Sequence, residues 1–379
     1  MRYALSTVAL LVLGIVGVAP PTHAQSDLPP GAPTQLRQFD TDWSTHSIDL
    51  SELRSGGPPK DGIPSIDDPS FVAPSRASRW LTPQEPVIAL EHKGTAKAYP
   101  LQILTFHEIV NDRIGGTPVA VTFCPLCYAA LVFDRRIEGK PVEFGTSGML
   151  RNSDLVMYDR ATESLWQQLT GTAIVGDRTG TTLDELPAQI LSFRQFRASF
   201  PNGRVLSRDT GHQRTYGQNP YAGYDDIDKK PFLYDGPSDG RLPPMEKVVA
   251  VRINGHSKAY PHSVTRDTHV IHDSVADQPL VVVHTRGAVS ALDRSRIADS
   301  KEVGSTGVFD RRVDGRTLTF RHADGQFIDE ETGSTWSIAG RATDGPLKGT
   351  QLRRIEHGNH FAFSWFAFRP ETAVYGSGR

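Results

Sequence analysis

Cysteine is scarce in this 379-residue chain, which contains only two. This count excludes a fold held together by several disulfides. The 41 basic and 43 acidic residues nearly balance and form no basic run, so we expect no nucleic-acid partner. The sequence also lacks a Ser-His-Asp hydrolase signature, a phosphate-binding glycine loop and a dinucleotide fingerprint, which argues against hydrolases and kinases.

Long apolar runs are absent after the N-terminal region, so we expect no membrane-spanning helix in the mature chain. The first residues, MRYALSTVALLVLGIVGVAP, predict a secretory signal peptide over residues 1–24. Arg2 provides the positive start, Val8 to Val18 form the apolar run, and Ala24 precedes the expected cleavage point. The sequence therefore predicts a periplasmic or secreted protein with no membrane association after cleavage.

Glycine and proline are abundant, with 34 and 27 residues, and they separate short runs of alternating apolar and polar residues. Runs such as PVIALE, VAVTF and DLVMYD are typical of half-buried strands. This pattern predicts a mainly β protein (β-rich α+β) with a few short helices.

Two stretches of sequence occur twice in the chain. EPVIALEHKGTAKAYP, at 85–100, recurs as EKVVAVRINGHSKAYP at 246–261, and FDRRIEGKPVEF, at 133–144, recurs as FDRRVDGRTLTF at 309–320. The repetition predicts two related β units that arose by internal duplication.

The repeats divide the chain into five predicted segments. They are a signal peptide (1–24), an N-terminal irregular segment (25–84), repeat unit 1 (85–205), a tyrosine-rich linker (206–245) and repeat unit 2 (246–379). A plain linker seldom needs several aromatics, so the linker either packs against a functional site or is an ordered spacer.

Residues that only one unit keeps are candidates for function. Cys124 and Cys127, in CPLC, lie in unit 1, and unit 2 has TRGA at the matching place. The same register aligns His107 with Thr268, and NSDLVMYD, which contains Asp154, is also confined to unit 1. A site, if present, is therefore expected in unit 1.

The CPLC stretch lies between two strand-like runs, which predicts that it forms the turn of a β-hairpin. A Cys-Pro-x-Cys turn directs both sulfurs to one side and serves as half of many zinc and iron sites. No second pair of cysteines exists, so histidine, methionine or carboxylate must complete such a site. We predict the metal ligands Cys124, Cys127, His107 and Met157, with Met149 as an alternative to Met157.

Copper is the first metal expected, because thiolate and thioether ligands favour Cu(I), and zinc or iron are alternatives. Two other interpretations need no metal. In a thiol-disulfide oxidoreductase, Cys124 would attack and Cys127 would resolve, whereas in a binding module a CPLC disulfide would only hold the hairpin. If the protein is an enzyme, we expect a metal- or thiol-dependent oxidoreductase with Cys124, Cys127 and Asp154 as catalytic residues. Its substrate would be a small molecule or a protein that the sequence does not identify.

Other histidines are weaker candidates for the site. His357 and His360 form HGNH, and on a helix this spacing would place both rings on one face.

The run HEIVNDRIGGTPVAVTFCPLCYAALVFDR, followed by GMLRNSDLVMYDRATESLWQQLTG, resembles an exported bacterial family classified as a domain of unknown function. GGPPKDGIPSIDDPSF and YGQNPYAGYD resemble further signatures of that family. The resemblance covers nearly the whole mature chain and implies no settled activity. The family usually has glycine after the second cysteine, where this chain has Tyr128, which adopts a positive φ at greater cost.

Overall fold

The structure is a computed structural model that describes Leu28, residues 31–323 and residues 325–376. The predicted signal peptide, residues 1–24, lies outside the described residues. The described part of the chain is mostly strand with a few short helices, which confirms the predicted mainly β class. Within it, no helix has the length and apolar character needed to span a membrane.

The helices are short. They are α1 (Pro74–Ala77), α2 (Leu101–Leu104), α3 (Phe193–Ser199), α4 (His262–Thr268) and α5 (Ala362–Phe368), and 3-10 turns lie at Thr34–Gln38, Leu50–Glu52 and Ile297–Asp299. The strands up to the linker are β1 (Arg54–Ser55), β2 (Phe71–Val72), β3 (Pro86–His92), β4 (Thr95–Pro100), β5 (Ile109–Ile114), β6 (Thr117–Cys124), β7 (Ala129–Asp134), β8 (Arg136–Ile137), β9 (Lys140–Pro141), β10 (Phe144–Arg151), β11 (Asp154–Asp159), β12 (Leu165–Gln167), β13 (Thr172–Val175), β14 (Ala188–Ser192) and β15 (Arg204–Leu206). The strands after the linker are β16 (Lys247–Ile253), β17 (His256–Pro261), β18 (Val270–Val275), β19 (Gln278–Thr285), β20 (Ser305–Asp310), β21 (Arg312–Val313), β22 (Arg316–Thr317), β23 (Phe320–Ala323), β24 (Gln326–Asp329), β25 (Thr335–Trp336), β26 (Ala342–Asp344), β27 (His357–Phe361) and β28 (Ala373–Val374).

The same order of elements occurs in residues 86–206, the first half, and in residues 247–374, the second half. In the first half the hairpin β3–β4 pairs antiparallel with β14, and β4 pairs parallel with β15 after α3. In the second half β16–β17 pairs in the same way with β27, and with β28 after α5. The duplication itself stays a prediction, which this repeated topology supports.

The segment before residue 85 is not wholly irregular. Its short strands β1 and β2 pair with β10 and β15, so it adds edge strands to sheets of the first half. Its apolar side chains form a separate hydrophobic cluster with side chains of β10 to β13, among them Trp43 and Met149.

Both halves contain the same buried turn after a strand. Asp159 accepts a hydrogen bond from Trp166 Nε1 at 2.9 Å, and Asp329 accepts one from Trp336 Nε1 at 2.8 Å. Both aspartates are fully buried. A buried carboxylate is tolerated when it is hydrogen-bonded, so each turn depends on its aspartate.

We expect Asp159→Ala and Asp329→Ala each to lower the free energy of unfolding by about 1–3 kcal/mol, because each leaves a buried indole N–H without its acceptor. The midpoint of urea unfolding measures the effect. Asp267→Ala is the control, because the Asp267 side chain is 79% exposed. A loss no larger than that of the control would show that these turns do not depend on the carboxylates.

Candidate metal centre

The CPLC stretch forms the turn between β6 and β7, as predicted. Cys124 pairs with Ala129 at the end of the hairpin. Cys127 N donates to Cys124 O at 3.3 Å, and Tyr128 N donates to Pro125 O at 3.3 Å. These backbone bonds set the direction of both cysteine side chains.

Tyr128 closes this turn with a φ of +55°. A left-handed conformation costs a non-glycine residue about 1 kcal/mol or more, so the surroundings must hold it. Its ring is buried, with Lys247 Nζ 4.3 Å from the ring centroid and the Phe361 ring 5.6 Å away. The second half of the chain therefore braces the hairpin turn.

Cys124, Cys127 and Asp154 form a close group of donor atoms. Their two sulfurs and one carboxylate oxygen lie within 4.8 Å of one another, and all three residues are buried. Both cysteines are free thiols. Among the described residues, no other group of three or more His, Cys, Asp or Glu side chains is close enough to hold one metal ion.

The carboxylate of Asp154 is held on one side only. Oδ2 accepts hydrogen bonds from Gln167 Nε2 at 2.6 Å and from Leu169 N at 2.9 Å. Oδ1 is buried and has no hydrogen-bond partner of standard geometry in the described part of the chain. The group is therefore oriented by Gln167 and Leu169, and its remaining hydrogen bonds are with the thiols of Cys124 and Cys127.

The NSD part of the motif positions this aspartate. Asn152 and Ser153 have φ values of +50° and +65°, so the turn before β11 is strained at two successive residues. Cys124 Sγ donates to Ser153 O at 3.9 Å. The tight turn thus brings the backbone before Asp154 against the cysteine hairpin.

Glu108 also belongs to the site, and sequence reasoning missed it. Its carbonyl oxygen accepts a hydrogen bond from Phe123 N at 2.8 Å, which fixes it beside the strand that ends in Cys124. Its side chain is only 7% exposed and hydrogen-bonds with Tyr221. Comparison of the repeats offered a signal, because the matching residue of the second half is His269 rather than an acid.

Burial controls the protonation of the site. It raises the pKa of Glu108 to about 8 and the pKa of Asp154 to about 6. It also raises the pKa of both thiols, most strongly that of Cys127. Among the described residues, no lysine, arginine or histidine is a leading influence on these four pKa values, so the acidic cluster has no basic partner to balance it.

Two tyrosines of the linker cover this cluster. Tyr224 hydroxyl donates to Leu126 O at 3.1 Å and accepts from Phe232 N at 3.1 Å. Tyr221 hydrogen-bonds with Glu108, and burial raises the pKa of both tyrosines. The linker therefore packs against the site, which is the placement that its aromatic content favoured.

His107 does not join the close group of donors. Its Nδ1 is 2.7 Å from Pro64 O and its Nε2 is 2.6 Å from the Tyr216 hydroxyl, so both ring nitrogens are engaged elsewhere. Burial lowers the pKa of His107 to about 4, which keeps the ring neutral. After α2 the chain turns at Glu108, which has a φ of +57°, and the charge of Glu108, rather than that of His107, is a leading influence on the pKa of Cys124.

The two methionines occupy different places. Met149 packs in the separate hydrophobic cluster of the N-terminal segment, away from the cysteines. Met157 is buried in the cluster that contains both cysteines and pairs across strands with Trp166. Residues three apart on a strand point to opposite faces, so Met157 and Asp154 diverge along β11. A ligand role for Met157 stays a prediction.

HGNH lies on β27 rather than on a helix, so its spacing of three residues does not place the two histidine rings on one face. His357 and His360 are both buried on this strand. His360 faces a cavity described below.

The fold and the site define a β-rich protein with a buried cluster of two thiols and two carboxyls. The chain belongs to the family described as protein of unknown function (DUF3179), whose sequence model matches residues 60–372. No curated protein and no solved structure matches the chain.

The metal-free protein should lose stability as pH rises above about 7. Because burial raises the folded-state pKa values of Asp154 to about 6 and of Glu108 to about 8, both carboxyls stabilise the fold when protonated, below their unfolded values. This contribution is lost as pH rises through the folded values. Buried histidines such as His107 and His360, whose pKa values burial lowers from 6.5, act in the opposite direction at lower pH, so we expect the urea-unfolding free energy to fall only between about pH 7 and about pH 8.

Glu108→Gln should reduce this fall by about 1 kcal/mol, a little less than the equivalent of one pKa unit. Glu138→Gln, at an exposed turn, is the matched control. Both proteins are measured with a chelator present. If the unfolding free energies of Glu108→Gln and of the parent changed with pH to the same extent, the raised pKa of Glu108 would be contradicted.

Proposed function

We propose that this protein binds a soft transition metal, with copper as the first candidate, between Cys124, Cys127 and Asp154. The observation that carries the proposal is the group of two sulfurs and a carboxylate oxygen within 4.8 Å. The environment of Asp154 Oδ1 supports it, because this buried oxygen has no N–H or O–H donor in the described part of the chain, and the other hydrogen bonds to the carboxylate come from the two thiols, whose protons a metal would replace.

Electrostatics favour a bound cation. Four acidic groups are buried together, and none has a basic side chain as a leading influence on its pKa. A metal ion would replace the thiol protons and neutralise the thiolates that remain. Its affinity should therefore rise with pH, because the ligands must first lose their protons.

The donor set bears on the choice of metal. Two thiolates from one turn suit Cu(I), which soft sulfur ligands select. Zinc is the second candidate, because zinc sites accept carboxylate oxygen beside cysteine sulfur. Iron is less well supported, because thiolate iron centres take four cysteines and this chain has two.

A copper ion held by thiolates supplies one-electron redox chemistry. The protein would then be an oxidoreductase that acts on a small molecule or a protein, or it would store or transfer the metal. The predicted signal peptide would place this activity in the periplasm or outside the cell.

The rival thiol-disulfide oxidoreductase is less well supported by the geometry. Reactive cysteines have lowered pKa values and are partly exposed. Here Cys124 and Cys127 are 2% and 0% exposed, and burial raises both pKa values.

Elemental analysis of protein purified from the periplasm under reducing conditions tests the metal proposal. We expect one copper ion per chain, lost in the Cys124→Ser/Cys127→Ser double variant. Asp154→Asn should weaken metal binding about tenfold or more, because even loss of a residue that only hydrogen-bonds to a ligand has an effect of that size.

Met149→Leu is the control, because Met149 lies in another cluster and should not affect the metal content. Met157→Leu tests whether the thioether is a ligand. Zinc in place of copper would keep the site and overturn the choice of metal. Metal retained by the double cysteine variant, or a parent protein that takes up neither metal, would overturn the proposal.

Thiol reactivity separates the metal site from the redox rival. In metal-free protein near pH 7, we expect Ellman's reagent to modify the cysteines at least about a hundredfold more slowly than in urea-unfolded protein, because burial keeps them protonated and inaccessible. Native thiols that react within a few-fold of the unfolded rate would instead favour the oxidoreductase.

A further inference from the structure

A cavity of about 370 Å³ lies between the two halves of the chain. The first half contributes β7 and residues 182–185, and the second half contributes β16, β27 and α5. Cys124, Cys127 and Asp154 do not line it, so it is distinct from the candidate metal centre. Its volume suits a small organic molecule.

One buried histidine on β27 faces this cavity with unpartnered nitrogens. His360 is fully buried, and within the described residues neither its Nδ1 nor its Nε2 has a hydrogen-bond partner. His357, three residues earlier on the strand, points to the opposite face, where its Nδ1 is 2.7 Å from Ile355 O and its ring hydrogen-bonds with the backbone of Thr306. Buried polar atoms are usually satisfied, so the nitrogens of His360 indicate a polar occupant.

The cavity also presents charged groups of both signs. Arg252 and Arg369 contribute guanidinium groups, and Glu185 and Glu356 contribute carboxyl groups. Among the described residues, no salt bridge joins these four side chains, and Arg369 Nε is buried without a partner.

The two arginines shortly before Glu356 in sequence form ion pairs with carboxylates outside the cavity. Arg353 pairs with Asp310 at 2.9 Å and Arg354 pairs with Glu91 at 2.5 Å. They are therefore already committed to other carboxylates. Arg252 and Glu356 are exposed to solvent, so the half-buried groups of the described residues that lack an ion-pair partner in this cavity are Arg369 and Glu185. An arginine and a carboxyl that line one cavity without pairing fit a ligand that carries both signs.

Burial keeps several of these groups uncharged in the free protein. It raises the pKa of Glu185 to about 8, helped by Glu356 and opposed by Arg369. It lowers the pKa of His357 to about 4 and that of His360 to about 3. His360 can therefore accept and donate hydrogen bonds as a neutral ring, while Glu185 ionises when a cation comes close.

We propose that this cavity binds a small zwitterion, an amino acid or a molecule of similar size that carries one ammonium and one carboxylate group. Its carboxylate pairs with the guanidinium of Arg369, and its ammonium pairs with Glu185. His360 contacts its remaining polar atoms. The proposal does not depend on the metal centre, because the two sites use different ligand residues.

Isothermal titration calorimetry of the mature protein tests this proposal. The probes are glycine, L-serine, L-glutamine and L-leucine, with propionate and propylamine as compounds that carry one charge each. We expect saturable binding of at least one amino acid, with propionate and propylamine weaker by about tenfold or more, because each lacks one charge-assisted interaction.

Arg369→Gln and Glu185→Gln should each lower the binding affinity for the same amino acid by about tenfold or more. Arg286→Gln and Glu302→Gln, from a surface ion pair whose arginine side chain is 83% exposed, are matched controls and should not change the affinity. If Arg369→Gln does not fold, Arg369→Lys replaces it, and we expect weaker binding because lysine cannot form the bidentate pair.

Several results would overturn the proposal. Propionate that binds as tightly as the amino acids, with no effect of Glu185→Gln, would indicate a simple carboxylate site. Unchanged affinity in both cavity variants would place the bound amino acid elsewhere. No binding of any probe to folded protein at millimolar concentration would mean that water alone satisfies the cavity.

Discussion

Burial of four acidic side chains in one hydrophobic cluster is the constraint on which the candidate site depends. The low dielectric around Cys124, Cys127, Glu108 and Asp154 favours their protonated forms, and no basic group is close enough to dominate. The fold sustains this cost by fixing the hairpin turn and by donating two hydrogen bonds to one oxygen of Asp154. Such a cluster is poorly suited to a reactive thiol and well suited to a cation that replaces protons.

A buried ion pair connects this cluster to the rest of the molecule. Lys247, the first residue of β16, bonds to Asp225 at 2.8 Å, and although burial opposes ionisation, Lys247 holds the pKa of Asp225 at about 2. Asp225 follows Tyr224, which covers the cysteine hairpin, and the same Lys247 ammonium lies over the Tyr128 ring. One interaction therefore ties the linker, the second half and the hairpin turn together. Removing Asp225 would leave the buried Lys247 ammonium without its carboxylate, whereas without Lys247 the carboxylate of Asp225 would still pair with Lys301 at 3.1 Å.

Sequence patterns predicted the features that depend on local order. Alternating apolar residues gave the strands, and the position of CPLC between two of them gave the hairpin. The choice of Glu108 over its neighbour His107 could not be predicted, because the left-handed backbone at Glu108 after α2 decides which of the two adjacent side chains influences the thiols. The unpartnered nitrogens of His360 could not be predicted from the sequence either, because they depend on contacts between residues far apart in the chain.

The left-handed backbone at Tyr128 has a consequence for how the site can vary. A glycine there would relieve the conformational cost, but it would also give the unfolded chain more freedom and remove the ring beneath Lys247. In this chain the Tyr128 ring connects the hairpin turn to the second half through its contacts with Lys247 and Phe361. The side chain after the second cysteine therefore affects how strongly the hairpin turn of the candidate metal centre is held against the second half of the chain. It does so without providing a ligand atom.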